Sequence, residues 1–187
     1  GTKSQVLDGH AADAILIPAR TSGSSNDRAG ISLFLVPAST AGLTSERQWL
    51  LDSRGAALLE LNEVRVGADA LVGEEGAAAA ILEAVVDRAT VGLCAEMLGG
   101  MTEAFESTLA HMKEREQFET VIGTFQALKH RAAKVFIEIE LSRSCVMAAA
   151  RAVDSGDENA AKLVSLAKAR CSDAYILATN EGVQIFA

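Results

Sequence analysis

Apolar and polar positions change rhythm once along the chain, near residue 72. Before that point the apolar runs are short. Ala14-Ile15-Leu16-Ile17 closes on Pro18, and Ile31-Ser32-Leu33-Phe34-Leu35-Val36 closes on Pro37. Between them Thr21-Ser22-Gly23-Ser24-Ser25-Asn26-Asp27 is a cluster of turn formers, which joins neighbouring strands. Ala57-Leu58-Leu59-Glu60-Leu61-Asn62 alternates as a half-buried strand does, and Val64 and Val66 continue it after a slip of phase that a β-bulge would produce. Residues 1–72 therefore predict a small antiparallel β-domain portion.

Val72-Gly73-Glu74-Glu75-Gly76 is the hinge of the pattern, and its acids suit the positive end of a helix dipole. From Ala77 the period is helical. Leu98, Met101, Phe105, Leu109 and Met112 form one apolar stripe on a helix expected to run to about Glu116. A break at residues 119–124 offers Thr120 or Thr124 as a cap. Phe125, Leu128, Ala132, Val135, Phe136 and Ile139 make a second stripe, which stops at Asp154-Ser155-Gly156-Asp157. Leu163, Leu166, Ala167, Ala174, Leu177 and Ala178 make a third. Short connections set neighbouring helices antiparallel, so the class is α+β: residues 1–72 of a β-domain, then 73–187 of a truncated helical bundle. Three stripes bury best around a fourth helix, which predicts an oligomer or a further segment.

Composition narrows the chemistry. The formal net charge of −8, with acids spread along the chain, excludes a basic nucleic-acid surface but leaves room for a local phosphate site. No apolar run reaches membrane length, and no leader opens the chain, so a soluble, cytoplasmic protein is expected. Cys94, Cys145 and Cys171 are odd in number and fall in helical patterns, which predicts reduced thiols. His10, His111 and His130 have no metal-like spacing, and no serine stands in a nucleophile elbow. Neither a metal site nor a membrane contact is expected.

Three segments, in order, carry a family resemblance. Arg115-Glu116-Gln117-Phe118-Glu119-Thr120-Val121-Ile122-Gly123-Thr124-Phe125-Gln126-Ala127-Leu128-Lys129-His130 resembles the R-x-Q-F-G-x-x-I-G-x-F-Q-A-x-x-H signature of acyl-CoA dehydrogenases, with Glu119 where the signature has glycine. The opening Gly1-Thr2-Lys3 through Asp13 is similar to that family's G-x-K-x-x-V-x-D-G-x-x-A-D. Val64-Arg65-Val66 with Leu71-Val72-Gly73-Glu74-Glu75-Gly76 resembles the exit from its middle β-domain into the helical bundle.

The resemblance implies an FAD-dependent α,β-desaturation of an acyl-CoA thioester, with electrons passed to an electron-transfer flavoprotein. It also implies a homo-oligomer, or a mixed oligomer with a homologue. Arg115 would reach the FAD pyrophosphate from a neighbouring subunit, Gln126 would anchor the same dinucleotide, Phe118 would pack against it, and Gln184 matches the glutamine of the family's Q-x-x-G-G-x-G turn. The guanidinium fork suits phosphate oxygens. No catalytic residue is assigned, because the usual glutamate base would lie beyond Ala187. Asp87-Arg88 imitates the pair that a minority of the family uses, but its distance from Arg115 is about two residues too long, which turns a helix by about 200°. Without the resemblance, Arg115 reads as a helix-end cation, Phe118 as core and Gln126 as surface. A non-catalytic flavin-supporting subunit and a helical interaction module without cofactor stand as alternatives. The negative charge of Glu119 favours the second.

Overall fold

The computed structural model describes residues 1–187, which divide into two compact units, Gly1–Glu83 and Ala84–Ala187. The first unit holds two three-stranded sheets, antiparallel throughout. Strands β1 (Thr2–Leu7), β4 (Leu43–Trp49) and β5 (Gly55–Leu61) pair in the order β1-β5-β4. Strands β2 (Ala14–Arg20), β3 (Ile31–Pro37) and β6 (Leu71–Val72) pair in the order β2-β3-β6. Alternation decides the faces: Ile15 and Ile17 are buried while Leu16 between them is 54 % exposed. Ile15, Ile17 and Val36 from one sheet share a core with Ala57 and Leu59 from the other. The polar pattern of β1 and β4 hid them in the sequence, because both are sheet edges with mostly exposed side chains.

The turn between β2 and β3 is organised by Arg20, whose guanidinium donates to the carbonyls of Ser22, Ser25, Asp27 and Ala29. The expected bulge is elsewhere. The phase slip at Val64 reflects the chain leaving the sheet after Leu61, with Glu63 at φ 51°. The irregular register lies in β1, between Lys3 and Val6, where Gln5 has φ 53°.

Three helices fill the second unit: α1 (Ala78–Glu114, its first turns in the other unit), α2 (Gln126–Ser155) and α3 (Ala160–Phe186). The α1 stripe is sound, with Cys94, Met101, Phe105, Thr108 and Met112 buried at helical spacing. Three assignments on the other stripes fail, Phe125 among them at 37 % exposed. Phe136 is 53 % exposed and Leu166 52 %, because α2 turns Val135 and Ile139 inward and α3 turns Val164 and Ala167. The α2–α3 seam is made of small side chains: Ala149 and Ala152 on one helix, Ala167, Cys171, Ala174 and Ala178 on the other. Small residues let the two backbones approach, and Arg170–Glu138 (2.8 Å) and Arg131–Glu181 ion pairs bridge the same helices. Tyr175 of α3 lies against Gly100 of α1, where a β-carbon would collide with its hydroxyl.

Helix ends follow local chemistry. Gly156 closes α2 at φ 66°, with the Asp157 N–H donating to the Ala152 carbonyl (2.9 Å) in a Schellman arrangement. The threonine cap predicted for α2 is not made. Its capping position is Phe125, and the Thr124 hydroxyl donates to the Val121 carbonyl instead (2.7 Å). No helix is long and apolar enough to cross a membrane.

All three cysteines are free thiols. Burial pushes the Cys171 thiol up to about 11 and raises Cys94 as well. Both are fully buried, whereas Cys145 is only partly so. Native-state alkylation followed by mass spectrometry is therefore expected to label Cys145 first and to spare Cys94 and Cys171 until the bundle unfolds. Met101, 0 % exposed, should lose about 2–5 kcal/mol of stability on Met101→Ala, whereas Leu166→Ala should change it by less than about 0.5 kcal/mol; urea denaturation reads both.

Candidate functional site

The reversal between α1 and α2 is short and tightly specified. Helix α1 ends at Glu114, and the Arg115 N–H still donates to the His111 carbonyl (2.9 Å). The chain then makes a minimal hairpin, β7 (Glu116–Gln117) and β8 (Thr120–Val121), paired Glu116↔Val121 and Gln117↔Thr120. Its two-residue loop is Phe118-Glu119, at φ 55° and 61°. Positive φ at both central positions is the type I′ geometry that matches strand twist, and it favours Asn-Gly. The Ile122 N–H closes the hairpin on the Arg115 carbonyl (2.9 Å).

A single 3₁₀ turn, Ile122–Thr124, leads into α2. The Ile122 side chain is buried, and Gly123 lies so close to α1 that a β-carbon would sit 2.6 Å from the Met112 carbonyl. The N–H groups of Leu128 and Lys129 both donate to the Phe125 carbonyl (3.1 and 3.2 Å). Those of Gln126 and Ala127 are the open donors of the α2 N-terminus.

A cavity of about 400 Å³ opens at this end of the helical unit. His111, Arg115, Gln117 and Phe118 line it from α1 and the hairpin, Phe125 and Leu128 from the start of α2, and Gln184 and Phe186 from the end of α3. Three of the four residues singled out in the sequence, Arg115, Phe118 and Gln184, meet here although about seventy residues separate the first from the last. Gln126 does not line the cavity; it is exposed at the first position of α2. Asp87, near the other end of α1, is outside it.

Arg115 is exposed, and its guanidinium makes no ion pair or hydrogen bond within the chain. Phe118 is 84 % exposed and meets Phe125 edge to face, with centroids 6.1 Å apart. It is therefore no part of the core. His111 stacks on Phe186 at 4.3 Å and 28°. Neither His111 nor Phe186 stood out in the sequence. The one signal for His111 is its place four residues before Arg115, on the same helix face. No group of three His, Cys, Asp or Glu side chains is arranged to hold a metal ion. An unpaired guanidinium, two glutamines and exposed aromatic rings make a donor set for an anionic ligand with a flat aromatic portion.

Known proteins share the sequence pattern and the fold. Residues 74–187 match the family model of the acyl-CoA dehydrogenase C-terminal domain. The chain is 33 % identical to cyclohexane-1-carbonyl-CoA dehydrogenase of Geobacter metallireducens over 100 % of its length and 49 % of that protein. It superposes on butyryl-CoA dehydrogenase of Megasphaera elsdenii with a TM-score of 0.90 at 29 % identity, covering 100 % of this chain and 49 % of that one. A structure of PigA with FAD and proline matches with a TM-score of 0.93 at 26 % identity, again over 100 % of this chain and 49 % of the other. The chain thus spans about half the length of the relatives it matches.

Glu119 stands in the left-handed conformation that the family signature assigns to glycine, and a non-glycine residue there costs roughly 1 kcal/mol. Glu119→Gly is expected to raise unfolding stability by about 0.5–1 kcal/mol in guanidinium titration, because the turn geometry is kept and the steric cost removed.

Proposed function

The chain belongs to the acyl-CoA dehydrogenase family, and on that premise we propose that it forms one edge of an FAD site in an enzyme that desaturates an acyl-CoA thioester between its α and β carbons. The observation that carries this reading is the unpaired Arg115 guanidinium at the mouth of a cavity it shares with Gln184 and Phe118. A buried or paired arginine would be accounted for by the fold. This one is held out by the hairpin with its whole fork free, which suits two phosphate oxygens at once.

Around Arg115 each group has a defined task. The open N–H groups at the start of α2 add the positive end of a helix dipole to the same region. Phe118 and Phe125 offer ring faces and edges to a flat ligand and keep water from the diphosphate side. Gln184 brings an amide from α3 into the cavity, and Gln126, outside its lining at the first position of α2, would meet the dinucleotide where it extends beyond the cavity. FAD, when bound, supplies the acceptor for the two electrons of the desaturation. The proton-abstracting carboxylate is not among these residues.

The partners follow from the reaction and from the surface. An acyl-CoA is the substrate and an electron-transfer flavoprotein the electron acceptor. A second chain, identical or homologous, covers apolar side chains such as Ile176 (61 % exposed) and Val183 (72 % exposed). One observation favours a second reading, a helical interaction module without cofactor: Glu119 sets a carboxylate at the hairpin tip beside Phe118, where it opposes a diphosphate.

Flavin binding separates the two. Arg115→Ala is expected to weaken FAD binding by about 10- to 100-fold, the scale of a hydrogen bond to a charged group. Arg115→Lys should recover part of the loss, and Gln126→Ala should cost less than either. Flavin retained per subunit and the FAD dissociation constant are the measurements. Retention equal to wild type in Arg115→Ala rules out the cofactor role.

A further inference from the structure

We propose that His111 is a second donor to the phosphate portion of the dinucleotide, acting beside Arg115; this rests on the FAD reading above. Residues four apart on a helix are surface neighbours, and Arg115, one residue past α1, still donates its N–H to the His111 carbonyl (2.9 Å), which keeps the two positions on one face. Both line the same cavity. The two differ in how they are held. Arg115 is free along its length, whereas the His111 ring is clamped against Phe186 of α3 with centroids 4.3 Å apart.

That clamp is what makes the imidazole useful. Stacking occupies one ring face and leaves the edge, where both nitrogens are, directed away from the contact. Neither nitrogen has a hydrogen-bond partner within the chain, although the residue is half-buried. A neutral imidazole always carries one N–H, and a protonated one carries two, so a donor is present in either state. A donor with no protein partner, in a cavity that also holds a free guanidinium, suits an anionic oxygen. Phe186 thereby acts as a positioning residue, since its ring fixes the plane of the imidazole.

The competing explanation is that His111 merely packs on Phe186 and complements the carbonyl end of α1. Two substitutions distinguish these roles. His111→Phe keeps an aromatic ring against Phe186 and removes both nitrogens. His111→Gln keeps a donor and gives up the stack. FAD dissociation constants, melting temperatures without FAD, and displacement of bound FAD by inorganic diphosphate are measured on the purified protein for each, with Arg115→Ala alongside.

Donation predicts that His111→Phe binds FAD about tenfold more weakly with an unchanged melting temperature, the lower end of the range for a hydrogen bond to a charged group. It also predicts that inorganic diphosphate competes less well in that variant. His111→Gln, which keeps a donor without the clamp, should lose less affinity than His111→Phe. Wild-type affinity in His111→Phe, with weak binding in Arg115→Ala, overturns the role of His111 and leaves the FAD reading standing. Wild-type affinity in both variants overturns the FAD reading and this inference with it. Should His111→Phe fold poorly, His111→Gln decides: full loss of affinity at a normal melting temperature means stacking, and donation is overturned.

Discussion

The hydrogen bond from the Ile122 N–H to the Arg115 carbonyl closes the reversal between α1 and α2, and the candidate site depends on that closure. It fixes the hairpin to two residues a side, and a loop of two residues has to take positive φ at both positions if the strands are to keep their twist. Phe118 is thereby turned out into solvent, and Arg115 is carried past the end of α1 with its guanidinium free. The buried Ile122 side chain and the contact of Gly123 with the Met112 carbonyl press the same segment against α1. A larger residue at Gly123 would push the start of α2 away and take its open N–H groups with it.

The α2–α3 seam performs the complementary task. Alanines and Cys171 allow the helices to lie close, so the end of α3 reaches the level of the hairpin. Gln184 and Phe186 enter the cavity for that reason. The Arg131–Glu181 pair ties the first turns of α2 to the last turns of α3, one turn from Gln184. Its groups are partly exposed, so its value is more in fixing the helices relative to each other than in net stability. Core packing and site geometry are therefore one arrangement viewed from two ends.

Glu119 shows a site and a fold pulling in different directions. The hairpin keeps the conformation suited to glycine although a glutamate occupies it, which means that the surrounding contacts outweigh the local steric cost. The backbone consequence of the substitution is small. Its electrostatic consequence is a negative charge in the hairpin loop, next in sequence to Phe118, which lines the cavity.

By itself the sequence determined the change from strand to helix near residue 72, the three helices, the stop at Gly156 and the family signature around Arg115. All of these are local: alternation, helical spacing, a left-handed cap and a run of specific residues. It did not determine which way the edges of each stripe turn. Phe136 and Leu166 fit their stripes by spacing, but the close approach of α2 to α3 selects the smaller neighbours and rotates these two outward. Edge strands β1 and β4 were hidden because their side chains face solvent on most positions, and backbone pairing leaves no apolar rhythm to read. Only the tertiary structure brought His111 and Phe186 together with Arg115 and Gln184, because the contact between the ends of α1 and α3 depends on helix lengths and packing distance, which no local pattern encodes.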